Sequence, residues 1–266
     1  MLHIGIDCRF GGTFSGLGSY TRALVTHLLQ RRDPIQYTLF VRSVGEEWLR
    51  GLVGSPTHYT LLTTHYSHYS LSEQALFPLV LRRSGINLFF SLHFNVPLLC
   101  PVPFVATIHD LILHQYPNEA PLWKRMAYRR VMHHTVTHAR ALIAVSRFVA
   151  GEIRETYGQR AFLKVTVIPE GVDPRFSRRS PSEQEDVLRK YDIRPPFFLY
   201  VGNAKEHKNV PMLIHAFQNL RSSERTLVLV TSGREADGLT MGENIRRLSH
   251  VAEDDFPALY SAAETL

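Results

Sequence analysis

Eight short apolar runs recur along this chain, and their spacing constrains the fold more than any other feature. They read "LHIGID", "YTLFVR", "NLFFSL", "FVATIH", "ALIAVS", "KVTVIP", "FFLYVG" and "TLVLVT". Each is rich in β-branched and aromatic residues and bounded by polar or turn residues, the pattern of strands buried on both faces of a parallel sheet. Helical patterns lie between them. "GSYTRALVTHLLQRR" places Tyr20, Ala23, Leu24, His27 and Leu28 on one face, and "NVPMLIHAFQNLRS" does the same with Val210, Leu213, Ile214, Phe217 and Leu220. Alternation of this kind predicts an α/β fold of doubly wound units.

The alternation breaks once. Residues 169–196, "PEGVDPRFSRRSPSEQEDVLRKYDIRPP", are polar, carry five prolines and hold one short helical stretch. This divides the chain into a first domain over 1–172, a linker over 173–196 and a second domain over 197–266. The second pattern offers only "FFLYVG", "TLVLVT" and "RLSHV" as strands before a helix at "DDFPALYSAAETL". Two or three strands leave broad apolar faces uncovered, so the second domain is expected to be incomplete.

Charge separates the two parts as well. Residues 1–172 hold 17 Lys and Arg against 10 Asp and Glu, whereas residues 173–266 hold 13 against 14. A basic first domain suits attraction to phosphates or to an anionic membrane face, although a solubilising surface has the same composition. Cys8 and Cys100 are the two cysteines, which excludes a disulfide framework and a cysteine-rich metal site and points to the cytoplasm. Residues 86–108, the most apolar long stretch, contain Asn87, His93, Asn95 and three prolines and make a poor membrane span. A soluble or peripheral protein is expected.

Three stretches carry chemistry. Gly11, Gly12, Gly16 and Gly18 lie between the first strand and the first helix. The dinucleotide fingerprint is incomplete there, since Thr21 stands where a third glycine belongs and the second strand ends in Val41-Arg42-Ser43 without a carboxylate. The P-loop lysine is also missing. A glycine loop that opens a helix can receive an anion on free N–H groups, or it can be a tight packing turn. The second stretch is "PFVATIHD", which ends a strand in His109-Asp110. Carboxyl ends of strands face the ligand crevice in open α/β sheets, and there His109 can donate to a sugar hydroxyl or phosphate with Asp110 orienting its ring. A histidine that satisfies local backbone groups reads the same way. The third is "YVGNAKEHKNVPMLIHAF": Gly202 and Asn203 follow a strand, and Lys205, His207 and Lys208 precede a helix. Cations beside helix N–H donors suit a diphosphate, and a solvated basic turn has the same residues.

In their order, "GIDCRFGGTFSGLGSYTRAL", "ATIHDL", "ALIAVSRFVAGEI", "VTVIPEGVDPRF", "FFLYVGNAKEHKNVPMLIHAF" and "DDFPALYSAAE" cover nearly the whole chain. This set resembles the retaining family 4 glycosyltransferases of GT-B fold, and among them the bacterial mannosyl- or rhamnosyl-type members of polysaccharide assembly. The resemblance implies two Rossmann-type doubly wound parallel-sheet domains and transfer of a hexose from a nucleotide-diphosphate sugar to a glycan or lipid-linked acceptor. It implies no metal or other cofactor and no nucleic-acid partner. Residue by residue, Gly16 and Gly18 would approach the donor diphosphate across an interdomain cleft, and His109 would contact the donor sugar. Gly202 and Asn203 would allow close backbone approach, and Lys208 would neutralise the leaving diphosphate. His207 stands where the family commonly has arginine, and imidazole does not reproduce a guanidinium fork. The two glutamates of the family's E-x7-E pattern are expected beyond Leu266, so an incomplete enzyme is expected. A non-catalytic binding module and a nucleotide-sugar epimerase of similar fold are the alternatives.

Two further segments invite a role. "PLWKRMAYRRVMHHTVTHAR" places Trp123, Met126, Ala127 and Val131 at helical spacing beside Lys124, Arg125, Arg129 and Arg130. It suits either a helix with one buried face or contact with anionic lipid or a lipid-phosphate acceptor. "HYTLLTTHYSHYSLSEQ" is rich in Tyr and His and could face an acceptor sugar.

Overall fold

The computed structural model describes residues 1–13, 15–220 and 224–266, which form two compact units, Met1–Gly171 and Val172–Leu266. The first is built on a seven-stranded, wholly parallel sheet: β1 (Leu2–Asp7), β2 (Ile35–Val41), β3 (Tyr59–Thr63), β4 (Leu88–Ser91), β5 (Phe104–Ile108), β6 (Ala141–Ala144) and β7 (Val165–Val167). Their spatial order is β3-β2-β1-β4-β5-β6-β7. The chain winds outward from β1 to one edge, then returns to β4 and winds to the other. β1 and β4 thereby flank a topological switch point, the place where open sheets of this kind receive ligands beyond their carboxyl ends.

Six of these strands coincide with apolar runs in the sequence, and β3 is the exception. None of its residues is fully buried at the sheet edge and two of the five are threonine, so it lacks the continuous apolar signature of a doubly covered strand. The first helix, Gly16–Gln30, turns a face to the sheet different from the one its large apolar residues suggest. Gly18, Thr21, Val25 and Leu29 are buried, Ala23 and His27 are exposed, and Tyr20, Leu24 and Leu28 are partly covered. Thr21 fits inside because its hydroxyl donates back to the Leu17 carbonyl at 2.7 Å. The helix Leu122–His138 departs from expectation in the same manner. Tyr128, Met132, Thr135 and Val136 are its buried residues, whereas Leu122, Trp123 and Met126 are about two-thirds exposed at 66%, 66% and 64%.

The second unit holds a three-stranded parallel sheet in the order β10-β9-β8, formed by β8 (Phe197–Val201), β9 (Thr226–Val230) and β10 (Ile245–Leu248). Thr265 forms one further parallel bridge with Phe198, and the adjacent Arg225–Glu264 ion pair ties the segment down at 2.8 Å. The helix Val210–Asn219 covers one face with buried Val210, Ile214 and Phe217. Arg221 and Ser222, at the end of the helical pattern in the sequence, lie outside the described residues. On the other side pack the helices Pro181–Lys190 and Phe256–Ala262, which bury Val187, Ala258 and Leu259. The stretch expected as linker therefore contributes a helix to the second core. That helix starts with a full capping box between Ser180 and Glu183.

Among the described residues no helix is long and apolar enough to cross a membrane.

Candidate functional site

At the carboxyl edge of the first sheet, β1, β4 and β5 each reach a charged or histidine residue within two positions. β1 is followed by Cys8, Arg9 and Phe10, β4 by Leu92 and His93, and β5 by His109. Parallel register brings these ends together, with Asp7 opposite Ser91 and Ser91 opposite Ala106. His109 is held at both ring nitrogens: Nε2 lies 2.9 Å from the Leu92 carbonyl, and Nδ1 lies 3.0 Å from Glu170 Oε1. Tyr20 of the first helix meets its face edge-on at 4.8 Å, and the His93 ring lies parallel to it at 6.3 Å. The histidine side chain is 14% exposed while Glu170 is half-exposed, so the pair opens to solvent on its carboxylate side.

Asp110 does not orient the His109 ring. Its Oδ1 accepts the Ile112 N–H at 3.1 Å and stabilises the turn that follows, and Glu170 of the "VIPEGVD" segment supplies the carboxylate instead. Sequence adjacency suggested Asp110, but successive side chains at a strand end diverge and the ring reaches a residue 61 positions away.

Beneath this edge lies a buried ionic cluster that sequence reasoning missed. Arg9 is fully buried, and its Nε and Nη2 donate to the two oxygens of Asp7 at 2.8 and 2.6 Å. The same Nη2 donates to Glu73 Oε1 at 2.6 Å, and the guanidinium lies 4.3 Å above the Phe77 ring. Glu73 also accepts from Asn95 Nδ2 at 3.0 and 2.9 Å and from the Tyr69 N–H at 2.7 Å. Burial opposes ionisation of Asp7, but the Arg9 charge and hydrogen bonds outweigh it and hold the carboxyl below its usual range. For Glu73 burial prevails and raises the carboxyl against the pull of Arg9. Two signals pointed here: Asp7 and Arg9 stand at a strand end as His109 does, and Glu73 is the third residue of a helix capped by Ser70.

The cluster supports an aromatic layer. Phe10 stacks on His68 at 3.8 Å, and Phe10 and Tyr69 both approach His93, Tyr69 through its hydroxyl at 3.3 Å from Nδ1. The Tyr- and His-rich segment singled out in the sequence thus reaches the switch point through His68 and Tyr69. Burial lowers His68 to about 4 and His93 to about 3, so both rings are neutral at pH 7 and can donate and accept hydrogen bonds there.

The glycines of the first loop serve different ends. A Cβ on Gly18 would lie 2.0 Å from the Thr13 carbonyl oxygen, so this glycine is needed for close packing of loop on helix. One on Gly11 would strike the Trp48 ring at 2.5 Å. Gly16, by contrast, would meet nothing within 4 Å. Ser15 caps the helix by accepting the Gly18 N–H at 3.1 Å, and its carbonyl takes the Ser19 N–H at 2.9 Å. These two donors are engaged locally.

In the second unit Gly202 and Asn203 follow β8, and the Gly202 N–H donates to the Val230 carbonyl at 3.1 Å. A short 3-10 turn, Glu206–Lys208, then leads through Asn209 into the helix Val210–Asn219. Asn209 has φ +49°, a left-handed conformation that asparagine tolerates better than most residues. Lys205 and Lys208 are exposed, and among the described residues neither has an ion-pair partner. At the end of neighbouring β9, the buried Thr231 hydroxyl also lacks a partner. Among the described residues no group of three or more His, Cys, Asp or Glu is placed to hold a metal ion.

Comparison with known proteins places these features in context. Residues 14–176 match Glycosyltransferase Family 4. Over 173 residues the chain is 30% identical to the O-antigen chain mannosyltransferase B of Escherichia coli, a match covering 60% of this chain and 45% of that relative. The chain therefore aligns with less than half of the curated relative's length. Among solved structures, Anabaena HepE in complex with UDP-glucose is similar with a TM-score of 0.70 at 15% identity, over 99% of this chain and 72% of that one. The complex of HepE with UDP and glucose has a TM-score of 0.67 at 16% identity, over 99% and 73%. UDP-N-acetylglucosamine 2-epimerase from Rickettsia bellii has a TM-score of 0.60 at 13% identity, over 99% and 72%. Identities this low establish the GT-B-like α/β fold alone.

Proposed function

Because this chain belongs to glycosyltransferase family 4, we propose that it takes part in moving a hexose, mannose above others, from a nucleotide-diphosphate sugar to a glycan or lipid-linked acceptor. Cell-surface polysaccharide synthesis at the cytoplasmic membrane face is the setting this reading implies. The observation that carries it is His109: a ring fixed at both nitrogens, at the carboxyl end of β5, next to the sheet's switch point.

The chemistry explains why such groups are needed. Cleavage of a glycosyl–phosphate bond leaves positive charge on the sugar and added negative charge on the diphosphate. Fixed donors and cations lower the barrier most when they are placed before the charge develops. His109, kept in one orientation by the Leu92 carbonyl and Glu170, is suited to hold the sugar near its reacting carbon. The Glu170 carboxylate favours positive charge in its vicinity. Asp110 fixes the turn beside it. In the second unit Lys208 and His207 supply charge and hydrogen bonds for the diphosphate, and Gly202 and Asn203 bring backbone close to it. The unpartnered Thr231 hydroxyl is a further donor at the neighbouring strand end. Gly16 presents open backbone at the start of the first helix, and Gly18 keeps that start packed against its loop. Retention of configuration and independence of metal complete the reading.

Titration calorimetry with GDP and UDP tests it. One of the two is expected to bind, and Lys208→Ala is expected to weaken that binding about tenfold, the worth of one charge-assisted hydrogen bond. Transfer of mannose from GDP-mannose should persist in EDTA. Absence of heat with both nucleotides, or release of nucleotide with the sugar epimerised and no acceptor consumed, would refute the assignment.

A further inference from the structure

The helix Leu122–His138 leaves exposed Trp123, Met126 and Ala127, three of the four residues expected to form its apolar face. Beside it opens a groove of about 700 Å³, lined by Leu98 and Leu99, by Arg129, Arg130, His133, His134 and His138 of that helix, and by His114 and Tyr157. No carboxylate lines it. Among the described residues neither Arg129 nor Arg130 has an ion-pair or hydrogen-bond partner, and His134 Nε2 is a buried nitrogen without one. Two cations lining one groove without a carboxylate favour an anion there.

The walls are fixed. His114 is held between two tyrosines, with Nδ1 3.0 Å from Tyr128 Oη and Nε2 3.0 Å from Tyr157 Oη. His134 stacks on His138 at 4.5 Å, and His133 lies 6.1 Å from the Tyr157 ring. Burial lowers His114 and His134 in turn, which keeps them as neutral hydrogen-bonding groups around the two guanidinium charges. At helical spacing of three and four, the groove residues Arg129, Arg130 and His133 continue toward the start of the helix through Met126 to Leu122 and Trp123. Those three residues are exposed, and Leu99 is 76% exposed on the groove wall. A charged pocket therefore grades into an apolar strip along one helix face.

We propose that this groove binds the phosphate or diphosphate of a single amphiphile, with the guanidinium groups of Arg129 and Arg130 on its oxygens and its alkyl chain along Met126, Trp123 and Leu122. A headgroup alone would leave the apolar strip unused, and an uncharged lipid would leave both arginines unpaired. The inference deepens the transferase reading and rests on it, because it gives the phosphate of a lipid-linked acceptor a place in the first unit.

The test measures binding rather than turnover, by calorimetry with dodecyl phosphate below its micelle concentration, inorganic phosphate and dodecyl maltoside. Dodecyl phosphate is expected to bind at least about tenfold more tightly than either of the others, since each lacks the chain or the charge. Arg129→Gln with Arg130→Gln should weaken it about tenfold or more while unfolding at the same temperature, because both side chains are exposed. Trp123→Ser should weaken dodecyl phosphate several-fold and leave inorganic phosphate unchanged. Unchanged affinity in the double arginine variant, or equal affinity for dodecyl maltoside, would overturn the proposal. So would binding to phosphatidylglycerol vesicles with none to monomeric dodecyl phosphate, which would make the surface a membrane contact. GDP and UDP titrations of the same double variant separate the two readings. Absence of nucleotide binding by the wild-type chain counts against transfer, whereas absence of dodecyl phosphate binding by the wild-type chain, with nucleotide binding intact, counts against the groove.

Discussion

Glu73→Gln isolates the energetics of the buried cluster under the switch point. All four contacts to the Glu73 carboxylate come from donors: Arg9 Nη2 at 2.6 Å, the Tyr69 N–H at 2.7 Å, and Asn95 Nδ2 at 2.9 and 3.0 Å. Glutamine has the same shape but one of its two terminal atoms is an NH2 group. Whichever way the amide is turned, that group faces a donor, either Arg9 or Tyr69, with Asn95 beside it. At least one charge-assisted hydrogen bond is lost, and Arg9 is left fully buried with Asp7 as its one carboxylate partner in the cluster. Removing one member of a buried ion group costs about 3–5 kcal/mol, most of it the penalty of an uncompensated charge. For a unit of this size that corresponds to a fall in melting temperature of roughly 6–20 °C. Urea unfolding followed by circular dichroism, with calorimetric melting, gives both values. Asp33→Asn is the control, since the Arg31–Asp33 pair has side chains 64% and 36% exposed and is screened by solvent. A Glu73→Gln variant that loses no more stability than Asp33→Asn would show that the cluster is screened or rearranged, and the reasoning would fail.

Three further expectations follow from the same geometry. Gly18→Ala should destabilise by about 1–3 kcal/mol despite alanine's better helix propensity, because its Cβ meets the Thr13 carbonyl, whereas Gly16→Ala should be neutral or slightly stabilising; denaturant midpoints decide between them. His68 is held near 4 against 6.5 in the unfolded chain, so protons favour the unfolded state as pH falls from 6.5 to about 4, and stability is lost across that window; His68→Phe should flatten this limb of a stability–pH curve and leave it unchanged above pH 7. Glu170→Gln should lower turnover about tenfold with little change in melting temperature, because the carboxylate is half-exposed yet orients His109, and an unchanged kcat would remove it from the site.

Much of the fold was legible in order of sequence. Continuous apolar runs identify β1, β2, β4, β5, β6, β8 and β9 because strands inside a covered sheet carry apolar side chains at most positions, and β7, at the sheet edge, is found through Val165 and Val167 although none of its residues is buried. The edge strand β3 escaped because Thr60 and Thr63 interrupt its apolar run and none of its residues is fully buried, and β10 was displaced by a few residues because Arg246 and Arg247 interrupt its pattern. Strand ends also directed attention to His109, since a polar residue at the end of an apolar run is conspicuous. Its partner Glu170 was invisible, because nothing local links residues 61 apart.

The sequence by itself determined the alternation of strands and helices and the polar residues, such as His109, that stand where the apolar runs end. These depend on local periodicity and composition, which each segment carries without its neighbours. Tertiary structure alone decided which faces are buried, as on the helix Leu122–His138, where Tyr128 and Met132 turn inward and Trp123 stays in solvent. It alone assembled Asp7, Arg9, Glu73 and Asn95 into one buried cluster and aligned uncompensated arginines with an open groove. Such groupings join residues far apart in the chain, and burial energy depends on the whole set of contacts around a group rather than on the residue itself.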